Sequence, residues 1–207
     1  MNINNEEYRA GFAEHYAEGR PVWDIGKPQA PFIEIADQVK GPVLDVGCGT
    51  GSAALFFASR GLEVTGIDLV DEAIRRAEKK VAEQAASVEF LVKDAFTLAD
   101  WDRRFATIID SGLFHVFAED ELRRSLYGAV LGNVLQPGGY LYLMASKKQD
   151  DGAAAMPGMT LGDLHNTFAD GWNIESVKEF QAEVTPETLQ QHPGATWMTW
   201  FAIIRKM

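Results

Sequence analysis

The stretch Val43-Leu44-Asp45-Val46-Gly47-Cys48-Gly49-Thr50-Gly51 decides the fold, because it runs an apolar strand into an acid and three alternating glycines. Glycine at every second position lets the backbone take positive φ and lets a ligand approach without meeting a Cβ atom. The helix expected next, over 52–60, points its unpaired N–H groups at the same place. A dinucleotide fold would carry G-x-G-x-x-G, with the third glycine one place later for close helix–strand packing. The spacing here is G-x-G-x-G, with Asp45 two residues ahead. That pattern favours a cofactor with an amino-acid moiety, whose ammonium group an acid at the strand end can help hold. Asp45 sits among Val43, Leu44 and Val46 and is expected to be partly buried, so it needs donors from backbone amides, from a ligand, or from both.

Outward from this turn, strand-like apolar runs alternate with helix-like segments, the pattern of a parallel sheet covered on both faces. Helices are expected over 31–39, 52–60, 70–83 and 119–135. Toward the C terminus the order changes to a helix over 159–168 and two strands over 172–184 and 196–205. The connection 185–195 carries Pro186, Pro193 and Gly194. With no crossover helix in it, those strands are expected to be antiparallel neighbours. The chain of 207 residues, 46% hydrophobic, can bury one substantial core. It reads as a single domain: an arm over 1–40, a core over 41–146 and a C-terminal helix and strand pair over 147–207. No internal repeat or domain linker is visible.

A formal net charge of −11 argues against a nucleic-acid partner, whose phosphates are met by Lys and Arg. The start Met1-Asn2-Ile3-Asn4-Asn5-Glu6-Glu7 has no basic or apolar leader, and no run is long enough to span a bilayer, so a cytoplasmic protein without a membrane partner is expected. Cys48 is the single cysteine, so no intramolecular disulfide is possible. It reads as a small filler in the turn, and nothing points to a metal site.

The glycine turn resembles motif I of the class I S-adenosylmethionine-dependent methyltransferases, and further matches follow in order over about 41–146. Leu62–Leu69 resembles the second strand, ending in the acid that in this family bonds the ribose hydroxyls, here Asp68, with Leu69 beside it. Asp68 can equally be a helix N-cap. Ser87–Phe96 resembles the third strand, with Asp94 near the adenine amino group, Ala95 supplying backbone and Phe96 flanking the ring. Phe105–Gly112 resembles the fourth strand, and its loop, with Asp110 and Ser111, lies beside the reactive sulfonium. Gln136–Leu141 matches the turn into strand five. The resemblance implies an α/β, Rossmann-like, seven-stranded, mostly parallel sheet with an antiparallel C-terminal strand pair. It also implies S-adenosyl-L-methionine as cofactor, S-adenosyl-L-homocysteine as product, and Gly47, Cys48, Gly49 and Gly51 as its cradle.

Acceptor residues are sought outside that core. Tyr8, Phe12, His15 and Tyr16 fall at helical spacing and can form one aromatic face. Trp23-Asp24-Ile25-Gly26 resembles the N-terminal signature of the thiopurine, thiol and halide methyltransferase group, in which the segment closes over the cofactor. That implies Trp23 against cofactor and acceptor, with Phe12 or Tyr16 nearby. Trp23 can also simply staple the arm to the core. Asp110-Ser111-Gly112-Leu113-Phe114-His115 resembles the loop after strand four in bacterial heterocycle and quinolone methyltransferases, whose histidine lies near the acceptor. His115 is therefore the candidate general base and acceptor-binding residue, although a histidine between Phe114 and Val116 can be a hydrogen-bonded core residue. His15 is a second candidate; His165 and His192 are expected to do nothing chemical. Trp197 and Trp200 are three apart and face opposite sides of a strand, so one of them can reach the pocket mouth.

The expected activity is methyl transfer to a small, aromatic or thiol-type acceptor through S, O or N. The acceptor and the oligomeric state are not legible. The alternatives are a non-catalytic S-adenosylmethionine-binding protein and a nicotinamide-dependent oxidoreductase that uses the same glycine loop and Asp68.

Overall fold

A computed structural model describes residues 5–84, 87–148 and 158–207. Met1–Asn4, read above for a leader, lie outside the described residues. Seven strands form one sheet: β1 (Val43–Val46), β2 (Val64–Asp68), β3 (Val88–Val92), β4 (Phe105–Ser111), β5 (Leu135–Ser146), β6 (Trp172–Gln181) and β7 (Met198–Lys206), in the order β3-β2-β1-β4-β5-β7-β6. The first five are parallel, while β7 runs antiparallel to both β5 and β6. This is the fold class expected from the sequence. The strand order reverses at β1, and in such sheets ligands bind beyond the carboxyl ends of the strands at that reversal.

The helices are α1 (Glu6–Ala17), α2 (Ala30–Glu34), α3 (Ser52–Ser59), α4 (Asp71–Gln84), α5 (Glu121–Val134), α6 (Leu161–Thr167) and α7 (Pro186–Gln191). β1 is buried along its length. Its pleat sends Leu44 and Val46 into the apolar layer that contains Leu131 and Val134 of α5, and Val43 into the opposite layer with Phe57 of α3 and Ile74 of α4. Gly51 has φ +78°, and a Cβ there would stand 2.4 Å from the Phe90 ring of β3, so close packing of loop on strand needs glycine at this position. No helix among the described residues is long and apolar enough to cross a membrane.

Three local expectations change. The helix expected over 31–39 is α2 followed by a separate 3-10 turn, Ala36–Gln38. Phe32, Ile35, Ala36 and Val39 are all buried, and their spacing keeps one side apolar in either helix type. Gln136–Gly139 is a register shift inside β5 rather than a turn before it, because α5 hands directly into strand at Leu135 and Pro137 has no N–H for the ladder. The 185–195 connection contains α7, capped by the Thr185 hydroxyl. At six residues it is too short for a crossover, and β6 and β7 still pair as antiparallel neighbours.

Candidate active site

Beyond the carboxyl ends of β1 to β5 lies a cavity of about 1040 Å³. That is the upper end of the range for a single ligand site and leaves room for a cofactor and a small acceptor together. Its floor is the glycine loop and the ends of β2 and β3; its roof is α1, the 22–29 segment and the β6–β7 connection.

On the floor, Asp45 is 1% exposed. Its Oδ2 accepts the Ala54 N–H of α3 at 3.0 Å, whereas Oδ1 is buried with no partner. Burial drives its carboxyl up to about 7, with Asp110 and Asp68 adding repulsion. Ser52 Oγ, in the same cavity wall, is likewise buried without a partner. Buried polar atoms without partners are costly. Asp68 accepts the Gly49 N–H and the Val70 N–H, each at 2.9 Å, one on each oxygen. It therefore shapes the glycine loop, serves the N-terminal end of α4 and keeps a lone pair on each oxygen for a diol. Burial raises its pKa. These atoms fit an amino-acid-bearing nucleoside: a carboxylate for the ammonium, a second for ribose hydroxyls, and a loop whose Gly49 faces the Tyr16 hydroxyl with no side chain between.

Asp94 is partly engaged already. Its Oδ1 accepts the Phe96 N–H at 2.9 Å, and its Oδ2 accepts from the Asn5 amide at 2.7 Å. The Asn5 amide oxygen in turn accepts from Arg123 of α5. The arm thus begins by closing over the Asp94 side of the cavity.

The roof is aromatic. Trp23 meets Phe12, His15 and Tyr16 with ring centroids 5.3–6.4 Å apart, all edge to face. Tyr16 is buried, and that burial pushes its hydroxyl to higher pKa. Arg76 of α4 donates to the Tyr16 and Gly19 carbonyls, which fixes the end of α1. Thr50 of the glycine loop donates to Asp24 at 2.9 Å and accepts from Lys80 of α4 at 2.6 Å, so the loop and the Trp23 segment are held together. The far side of the roof is joined through Gln29, whose amide donates to the Glu183 carbonyl at 2.8 Å and accepts the Glu183 N–H at 2.9 Å.

His115 lies in a 3-10 turn after β4, buried at the cavity wall. Its Nδ1 accepts the Ser146 N–H of β5 at 3.3 Å, and burial pulls its pKa down to about 4. The single lone pair of the neutral ring is thereby engaged by the Ser146 N–H.

The cavity brings together Phe12, Tyr16, Trp23 and His115 with Asp45, Gly47, Cys48 and Gly49, and with Asp68, Leu69, Asp94, Ala95, Phe96 and Ser111. Gly51 and Asp110 are not in its wall. Asp110 is fully buried and accepts from the Gly112, Leu113 and Phe114 N–H groups and from Tyr127 at 2.7 Å, so it builds the loop that carries Ser111 and His115. His192, expected to be idle, lines the cavity, as does Trp197. Trp200 is instead buried, its indole N–H donating to the Met159 carbonyl at 2.9 Å. His165 is exposed on α6. Asn5, Gln29, Ser52, Met144 and Ser146 were missed. Ser52 had a signal, as the first residue after the glycine turn; Asn5 and Gln29 had none, since their partners lie 89 and 154 residues away.

The chain belongs to the class I S-adenosylmethionine-dependent methyltransferases: a methyltransferase domain matches over residues 43–139. It is 37% identical over 150 residues to the 2-heptyl-1-hydroxyquinolin-4(1H)-one methyltransferase of Mycobacteroides abscessus, a match that covers 71% of this chain and 65% of that protein. The chain thus spans just under two thirds of that relative's length. An uncharacterized methyltransferase of Schizosaccharomyces pombe is 32% identical over 50% of this chain and 70% of its own length. Among solved structures, one determined for the conversion of a disulfide bond into a thioacetal group during echinomycin biosynthesis is 31% identical, with TM-score 0.82 over 98% of this chain and 91% of that one. The family's cofactor is S-adenosylmethionine, and the nicotinamide alternative gives way to it.

Proposed function

We propose that this protein transfers a methyl group to a small aromatic or heteroaromatic acceptor through O, S or N. The observation that carries the reading is one continuous cavity, whose wall combines Asp45, Gly47, Gly49 and Asp68 with Phe12, Trp23, Met144 and Met198. S-adenosylmethionine supplies a methyl carbon activated by a positive sulfonium. Asp45 holds the ammonium, Asp68 the ribose hydroxyls, and Asp94, Ala95 and Phe96 the adenine, over the Gly47–Gly51 loop. Trp23 and the α1 aromatics exclude water and align the acceptor, and alignment is the main service an in-line displacement needs. The mycobacterial relative's named substrate, a hydroxyquinolone, supports a bicyclic acceptor. The net charge of −11 supports a small molecule over a nucleic acid.

The test is thermal unfolding with S-adenosylhomocysteine, with NADH as comparison. Ligand at about a hundred times its Kd adds about 2.7 kcal/mol, a shift of roughly 5–10 °C for a chain this long. A shift with S-adenosylhomocysteine alone is expected, and it justifies an acceptor panel led by 2-heptyl-1-hydroxyquinolin-4(1H)-one, thiophenols and phenols. No shift would end the reading.

A further inference from the structure

The acceptor half of the cavity holds one buried titratable side chain from the loop beside the reaction centre, His115, and its surroundings settle which atom carries its proton. Nδ1 accepts the Ser146 N–H, so in the neutral ring the proton resides on Nε2. Burial alone lowers its pKa, with no charged partner contributing. Two charged groups of the neighbouring elements, Asp110 and Arg124, are engaged with other partners. Asp110 is spent on three backbone N–H groups and Tyr127. Arg124 donates to the Phe117 and Ala118 carbonyls and pairs with Asp163. Gly112 lies against the ring, a Cβ there falling 3.2 Å from His115 Cε1, and the Ser146 backbone bonds its Nδ1. Nε2–H has no partner among the described residues, and the residue is part of the cavity wall.

We propose that His115 is a hydrogen-bond donor that selects an acceptor arriving already ionised, an aryl oxide or thiolate, and not the base that ionises it. This rests on the methyltransferase reading above and names the acceptor class for the same site. The proton leaves to solvent before binding. The anionic heteroatom keeps the electron pair for the new bond to the methyl carbon, the carbon–sulfur bonding pair would leave with the sulfur of S-adenosylhomocysteine, and Nε2–H bonds that heteroatom or an oxygen conjugated with it. A charge-assisted bond of this kind favours the anion over the neutral acceptor. A weakly acidic alcohol is not activated by Nε2–H, which donates a hydrogen bond and has no lone pair to take a proton.

The experiment reads ionisation without turnover. 4-Nitrophenol, whose anion alone absorbs visible light, is titrated across pH in the presence of saturating S-adenosylhomocysteine. The apparent pKa of the bound probe is expected to be about one pH unit, tenfold, lower in the wild type than in His115→Phe. His115→Gln keeps an N–H donor but has no basic nitrogen, and should stay within a few tenths of a unit of the wild type. Imidazole ¹⁵N resonances should report protonated Nε2 and unprotonated Nδ1 throughout the neutral range. Binding of S-adenosylhomocysteine checks the fold of each variant, and His115→Met replaces the Phe variant if that one fails. Equal probe pKa values in wild type and His115→Phe, Gln behaving as Phe, or no binding of the probe by a wild type that binds S-adenosylhomocysteine would each overturn the inference. Absence of S-adenosylhomocysteine binding would instead overturn the methyltransferase reading, and this one with it.

Discussion

The floor and the roof of the cavity are built by opposite means. The floor rests on the ends of parallel strands, and its key bonds are short in sequence or run between adjacent strands: Asp45 to Ala54, Asp68 to Val70 and Gly49. The roof is loops and a helix, held by side-chain bonds that join distant parts of the chain: Asn5 to Asp94, Thr50 to Asp24, Gln29 to Glu183. A ligand common to a large family is met by the part that local sequence can specify. The acceptor is met by the part that can be rebuilt without disturbing the sheet. If that contrast is real, changes in the floor should abolish cofactor binding and stability together, and changes in the roof should alter acceptor handling first.

The largest effect is expected from Gly51→Ala. The residue would be held at positive φ with its Cβ 2.4 Å from Phe90, and the loss should be about 3 kcal/mol or more in denaturant unfolding, with S-adenosylhomocysteine binding lost in parallel. A variant that unfolds like the wild type would show that the loop yields easily and would break the contrast.

Asp45→Asn tests the floor in the opposite direction. A carboxyl raised from about 4 in the unfolded chain to about 7 in the folded one favours the fold while protonated, so its contribution is whole below the unfolded pKa and is lost as pH rises through the folded one. Asparagine carries no charge to desolvate. The unliganded variant should match the wild type near pH 4, gain on it up to about pH 7, and be about 4 kcal/mol more stable by about pH 8, while binding S-adenosylhomocysteine at least tenfold more weakly. Thermal melts across pH check it; a variant less stable than the wild type at high pH would show that the orphaned oxygen is not under strain.

The smallest effect sharpens the view of the roof. Gln29→Ala leaves the Glu183 N–H and carbonyl without partners, a cost of about 1–2 kcal/mol. The expected readout is a several-fold rise in acceptor KM and faster proteolysis of the arm, with the S-adenosylhomocysteine Kd nearly unchanged. A Kd that weakens as much as KM would merge the two regions into one.

The parallel sheet, the glycine turn and the acids at the strand ends were legible in the sequence. Strand periodicity, positive-φ glycines and a carboxylate at a strand terminus are properties of a few consecutive residues, and so was the aromatic face of α1. The use of each side chain was not. Asp110 and Asp45 both end a strand run and look alike, yet one is consumed by four donors and the other keeps a buried oxygen without a partner, because the fold alone decides which amides and hydroxyls reach each carboxylate. Trp197 and Trp200 were equal candidates until β7 paired with β5, which left Trp200 under Met159 and Trp197 at the cavity. His115 accepts on Nδ1 a backbone N–H from a strand thirty-one residues on, a partner no local pattern could show. Local sequence determines which residues can bend, pair or ionise; packing between distant segments determines which of their atoms remain free, and chemistry is done by the free ones.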